Sequence, residues 1–169
     1  MTEQQVYRLL EQRAGYELRE YAPVAIAAVA VSGDMQSAPR QGFQRLFRYI
    51  STHNIAMTAP VVQRESSSDT WSVEFVMPAG SDAKSLPPGT DIGVTVTQQP
   101  AQVCAVMVMR GGVDNRKVMA KAAELRESIA RDKLEITGPL QVARFNSPFV
   151  PTLLRYNELR YPVAEAHTN

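Results

Sequence analysis

Arg40, Phe43, Phe47, Arg48, His53 and Met57 fall within one short stretch of the chain. Arginine is a permanent cation suited to carboxylates. Phenylalanine supplies an apolar wall. Histidine and methionine can offer lone pairs to a metal. Arg40 and Phe43 are three residues apart, so on a helix charge and ring can meet one ligand. For any single helix arginine, a solvated surface charge is the commoner use. A histidine at a helix end more often caps carbonyls than binds a metal. Met107 and Met109, which alternate with valines on one strand, more often fill core than bind a metal.

Other chemistry is sparse. Glu20, Glu74 and Glu158 are candidate acids. No G-x-S-x-G, P-loop, H-E-x-x-H or paired-cysteine motif occurs, which leans against an enzyme. Of the two histidines, His167 is terminal. The single cysteine, Cys104, reads as a small core residue.

The element that must position the arginines and rings is an amphipathic helix. Phe43, Leu46, Phe47 and Ile50 recur at i, i+3, i+4 and i+7. Ser37 suits an N-cap and Pro39 the first turn. The pattern fades at Ser51-Thr52, His53-Asn54 forms a short turn, and Ile55 to Val62 reads as a strand.

The 169 residues are 44% hydrophobic, with 18 basic and 17 acidic side chains. One domain spanning 1–169 with a core of its own follows from that length. The balanced charge argues against a nucleic-acid partner. No apolar run of about 18 residues exists to span a membrane. The first residues lack the basic and apolar regions of a secretory signal. One cysteine fits a reducing compartment, so a cytoplasmic location is expected.

Val6 to Glu11 and Tyr16 to Tyr21 read as a hairpin around Ala14-Gly15, followed by a strand from Val24 to Val31. Glu65 to Asp69 reads as a polar loop before a strand at Trp71–Met77. A Pro- and Gly-rich link over residues 78–90 divides the chain. Strands are expected at 91–97 and 103–109. A helix capped by Asp114 follows, with Val118, Ala122, Leu125 and Ile129 on one face. Leu140–Phe145 and Leu153–Tyr161 read as extended around an Asn146-Ser147-Pro148 turn, and residues 163–169 as a fraying tail. Residues 16–77 and 91–161 thus repeat one order, strand-strand-helix-strand-strand, which suggests duplication. The predicted class is α+β: a duplicated ββαββ unit forming a distorted antiparallel β-barrel or sheet with two packed helices.

Several landmarks in this order resemble the SOUL haem-binding protein family. They are Tyr16-Glu17-Leu18-Arg19-Glu20-Tyr21-Ala22-Pro23, Gly42-Phe43 with Leu46 and Tyr49-Ile50, Met57-Thr58-Ala59-Pro60-Val61, Phe75-Val76-Met77-Pro78, Phe145-Asn146-Ser147-Pro148 and Asn157-Glu158. The resemblance covers about residues 7–160. It implies reversible binding of haem, or another flat apolar molecule, in an apolar groove beside the first helix, as carrier or buffer. On that reading Arg40 and Arg48 pair with propionates, Phe43 and Phe47 contact the ring, and His53 is the axial candidate, with Met57, Met107, Met109 and Cys104 as alternatives. A histidine that some members carry in the opening motif is Glu20 here. The wider superfamily also implies alternatives: an effector-binding module, or a small-molecule hydrolase with Glu158 as its buried acid.

Overall fold

The computed structural model describes residues 2–35, 37–67, 69–146 and 149–166. Its strands are β1 (Glu3–Gln4), β2 (Tyr7–Arg13), β3 (Tyr16–Tyr21), β4 (Val24–Ser32), β5 (Thr58–Ala59), β6 (Val61–Ser67), β7 (Thr70–Val76), β8 (Thr95–Gln99), β9 (Gln102–Arg110), β10 (Leu134–Ile136), β11 (Gln141–Arg144) and β12 (Tyr156–Glu165). Two helices, α1 (Ala38–Thr52) and α2 (Asn115–Arg131), interrupt them. The main sheet runs β2-β3-β9-β12-β11-β6-β7-β4-β8, antiparallel throughout, and curls into a half-barrel.

That order has a symmetry. Exchanging β3 with β8, β4 with β9, β6 with β11 and β7 with β12 maps the β3-to-β8 pairing onto itself. α1 packs on β4 and β7, and α2 on their counterparts β9 and β12. Each helix therefore covers the equivalent half of one sheet face.

Period-2 alternation divides the strands between two environments. On the helix side lie Val29, Val31, Val73, Phe75, Met107, Met109, Val142, Leu159 and Tyr161. α2 adds Val118, Ala122, Leu125 and Ile129, the stripe its spacing predicts, and Asp114 caps it by accepting from the Lys117 amide at 2.8 Å. α1 adds Leu46, Tyr49 and Ile50. Its stripe is rotated from the expected one, because Gly42 brings the backbone down onto the sheet. A Cβ there would lie 2.6 Å from the Cβ of Val73. Phe43 and Phe47 are thereby lifted to the rim, 37% and 50% exposed. The buried Tyr49 donates its hydroxyl to the Pro87 carbonyl at 2.6 Å, fastening α1 to the Pro-rich link. Tyr49→Phe is expected to cost about 1 kcal/mol in urea unfolding, the net worth of one such bond.

Several boundaries differ from the sequence reading. Ser37 makes no side-chain cap; the Asp34 carboxylate accepts its amide instead, at 2.7 Å. Ile55 returns its N–H to the Ile50 carbonyl at 2.8 Å, closing the helix end, so the expected 55–62 strand starts only at Thr58. Ala59-Pro60 is a cis peptide that separates β5 from β6. The expected polar loop after Glu65 is strand to Ser67. The final strand begins at Tyr156, not Leu153, and continues to Glu165, where β10 pairs with it from Leu134 to Ile136. Val163 is buried there, so the expected fraying does not begin at that residue. Ser147, Pro148 and His167 lie outside the described residues.

The N-terminal residues close the curl. β1 runs parallel to β5, the Gln5 amide donates to Ala59 at 2.9 Å, and the Ala22 amide donates to Val6 at 3.2 Å. Residues 3–6 thus tie β5, the short strand just before β6, to the end of β3, and β6 stands four places from β3 in the main sheet.

Candidate functional site

α1 presents one candidate surface. Arg40, Phe43 and Phe47 follow one another along its exposed side, and Arg48 comes next around the helix. The two rings lie 5.9 Å apart and nearly parallel, and Phe43 meets Phe75 edge-on at 5.3 Å. Arg45 is tied to the Ala30 carbonyl at 3.1 Å. Among the described residues, Arg40 and Arg48 enter no ion pair. The result is an exposed aromatic shelf flanked by two uncommitted cations.

His53 and Met57 are not brought to that shelf. His53 packs edge-on against Tyr49, ring centroids 5.0 Å apart. Tyr49 is two residues from Phe47, about 200° around the helix, so His53 belongs to the opposite flank. Met57 is half-buried against the core because its segment turns inward before β5. The spacing that united these residues in sequence ends with the helix itself.

A second constellation occupies the sheet face away from the helices. Glu158 accepts four hydrogen bonds. Arg160 Nε (3.1 Å) and Nη2 (2.9 Å) reach Oε1, while Arg19 Nη1 (2.8 Å) and the Tyr156 hydroxyl (2.7 Å) reach Oε2. Arg19 Nε also binds Glu17 at 2.8 Å and its Nη1 the Tyr21 hydroxyl at 3.1 Å. Arg19 lies 4.2 Å from the Tyr7 ring centroid and Arg160 4.4 Å from that of Tyr21. Arg19, Glu158 and Arg160 are only 2–3% exposed. Register explains the assembly. Arg19 pairs with Cys104 and Glu17 with Val106, and Val106 pairs on its other side with Arg160. These small residues of β9 let long side chains on β3 and β12 meet across it.

Burial pulls the Glu158 carboxyl upward, but the Arg160 charge and the hydrogen bonds from Tyr156 and Arg19 outweigh it and hold the group below its ordinary value. Burial pushes Tyr21 up to about 12, and burial with the adjacent Glu158 does the same to Tyr156. Burial also raises the Cys104 thiol to about 11, leaving it protonated and unreactive. With every lone pair engaged, Glu158 is a poor proton acceptor. Glu74 is likewise held, by Arg64 through two bonds of 3.1 Å, and Glu20 pairs with Arg8 at the surface. Among the described residues no three His, Cys, Asp or Glu side chains cluster to hold a metal.

Two concavities flank the N-terminal strap. One, of about 300 Å³, is bounded by Gln4, Gln5, Tyr7, Phe145, Asn146, Tyr156, Glu158 and Arg160. The other, of about 220 Å³, lies among Val6, Pro23, Val24, Thr58, Met77 and their neighbours. Neither is lined by α1. Sequence reasoning singled out Glu158 but missed Arg19, Tyr21, Tyr156, Arg160 and Gln5. The signal was present: Glu17-Arg19-Tyr21 and Tyr156-Glu158-Arg160 both place polar residues at alternate positions of a strand, and both begin or end on a tyrosine.

Comparison with solved structures places the fold. The C-terminal domain of EcmrR superposes with a TM-score of 0.71 at 13% identity, covering 95% of this chain and 99% of that one. A hydrolase from Listeria innocua gives 0.60 at 15% identity, covering 88% and 91%. SAV2435, solved bound to tetraphenylphosphonium, gives 0.51 at 13%, covering 88% and 93%. At such identities the likeness is one of architecture. No curated protein sequence matches this chain. A family profile described as SOUL heme-binding protein matches residues 2–162, nearly the whole chain. With its two helices on a curled antiparallel half-barrel, the chain belongs to the SOUL heme-binding protein family.

Proposed function

We propose that this chain binds haem or a related tetrapyrrole reversibly on the α1 shelf, acting as a carrier or buffer in a reducing, cytoplasmic setting. The observation that carries the reading is the stacked, exposed Phe43–Phe47 pair set between Arg40 and Arg48, neither of which is neutralised by a described ion pair. Family membership supports the ligand class. The residues fit the group in two respects: the rings offer a flat apolar face, and the guanidiniums offer partners for two propionates. His53 and Met57 face elsewhere, so the reading assigns neither an axial role. Binding through one face and two surface ion pairs suits a ligand that must be passed on.

Haem titration followed by Soret absorbance tests it. A saturable shift is expected at micromolar protein. The double variant Arg40→Ala/Arg48→Ala is expected to weaken binding by roughly tenfold, since two exposed ion pairs contribute up to about 1 kcal/mol each. His53→Ala is expected to leave it unchanged. No saturable shift, or a shift indifferent to both arginines, would sink the proposal.

The hydrolase alternative draws on the Listeria innocua neighbour. It would need Glu158 as base, and the four donors on that carboxylate oppose the role.

A further inference from the structure

The 300 Å³ cavity beside the N-terminal strap lies on the sheet face away from α1, so what it accepts is a separate question from haem. We infer that it is a binding site for a small planar carboxylate, an aromatic acid of one or two rings, recognised by the Gln5 and Asn146 amides and the Arg160 guanidinium.

The inference rests first on what the polar groups around the cavity can still do. Glu158 is the only carboxylate among the lining residues, and its lone pairs are filled by Arg160, Arg19 and Tyr156. It has nothing left for a cationic ligand. The Gln5 side-chain oxygen accepts from Arg160 Nη1 at 2.9 Å, and the Asn146 side-chain oxygen accepts from the Tyr156 amide. Each carboxamide therefore has its NH2 donors still to place. The uncommitted capacity is on the donor side, which calls for a ligand rich in acceptors.

Charge points the same way. Arg160 lines the cavity, Arg19 stands behind it bonded to Glu158, and Arg110 lies 5.4 Å from the ring centroid of the lining Tyr156. Within the lining Arg160 balances Glu158, Arg19 is answered by Glu17 and Glu158, and Arg110 enters no ion pair among the described residues. Tyr7, Phe145 and Tyr156 supply aromatic walls, and Phe145 and Tyr156 meet edge-on at 5.2 Å. The volume sits at the low end for small-molecule sites, about 300–1,000 Å³, which suits one or two rings and not a macrocycle. Arg160 is fixed by Glu158 on one side and the Tyr21 ring on the other, so the cation facing the cavity is already in place before a ligand arrives.

The test is calorimetric titration of the full chain with two probes of the same shape and opposite charge, 1-naphthoate and 1-naphthylmethylammonium. Naphthoate is expected to bind saturably and at least tenfold tighter than the ammonium compound. Gln5→Glu puts a carboxylate of the protein's own against Arg160 without emptying the buried cluster. It is expected to weaken naphthoate at least tenfold while the unfolding midpoint does not fall and haem titration is unchanged. Tyr7→Ala, which removes a wall, is expected to weaken it less. Absence of saturable naphthoate binding, an ammonium affinity equal or higher, or a Gln5→Glu protein that binds naphthoate like the parent would each overturn the inference.

Discussion

Glu158→Ala is expected to lower the unfolding free energy by about 3–5 kcal/mol, because removing one partner strands the others as buried, uncompensated charges. Here the stranded groups are Arg19 and Arg160, both almost fully buried. A fall in the urea midpoint at unchanged slope would show it. Glu158→Gln, which keeps the shape and one acceptor, should cost less. The loss must also depend on pH. The folded carboxyl titrates below its ordinary value, so its contribution is complete above the unfolded value of about 4.3. It disappears as pH falls through the depressed folded value. The difference between parent and Glu158→Gln should therefore be constant from neutral pH down to about 5 and shrink in more acid solution. A difference that grew on acidification would contradict the ion-pair account. Replacing Arg19, Glu158 and Arg160 together by apolar residues of similar volume should cost far less than Glu158→Ala, since paired buried charges add little net stability.

Gly42→Val is expected to cost about 2–3 kcal/mol, in the upper range for overpacking a well-filled contact. The added Cβ would meet Val73 at 2.6 Å and the Val29 Cγ2 at 3.0 Å. Those atoms belong to central strands β7 and β4, which cannot retreat without breaking their ladder. α1 must rise instead. Leu46, Tyr49 and Ile50 would lose contact, and the Tyr49 bond to Pro87 would lengthen. Gly42→Ala should have the same sign and a smaller size, since alanine recovers up to about 1 kcal/mol of helix propensity. Urea unfolding measures both. If the shelf is the haem site, both variants should also weaken haem binding, because Phe43 and Phe47 ride on the same helix. Unchanged stability in Gly42→Val would mean that α1 is not seated this closely.

Local chemistry was largely legible in the residues. α2 carries its apolar stripe and its Asp114 cap within seventeen residues plus one, and both were as the spacing implied. The β2–β3 hairpin followed from Ala14-Gly15, where Gly15 adopts φ +89°. The repeated order of elements was visible too, and the strand pairing has the matching symmetry. These are short-range features, decided by periodicity and turn chemistry. Three other features were decided only by the tertiary structure. The helix stripe Phe43-Leu46-Phe47-Ile50 splits into two buried and two exposed residues, because the depth of α1 is set by Gly42 against Val73, thirty-one positions away. His53 and Met57 part from the arginines because the chain turns inward where the helix ends. Glu158 acquires Arg19 as partner from the opposite end of the chain, through a strand order in which β9 separates β3 from β12. Periodicity states which residues share a face. Which distant element lies over that face is a matter of sheet order and packing depth, and on that depended both the exposed aromatic shelf and the buried arginine–glutamate cluster.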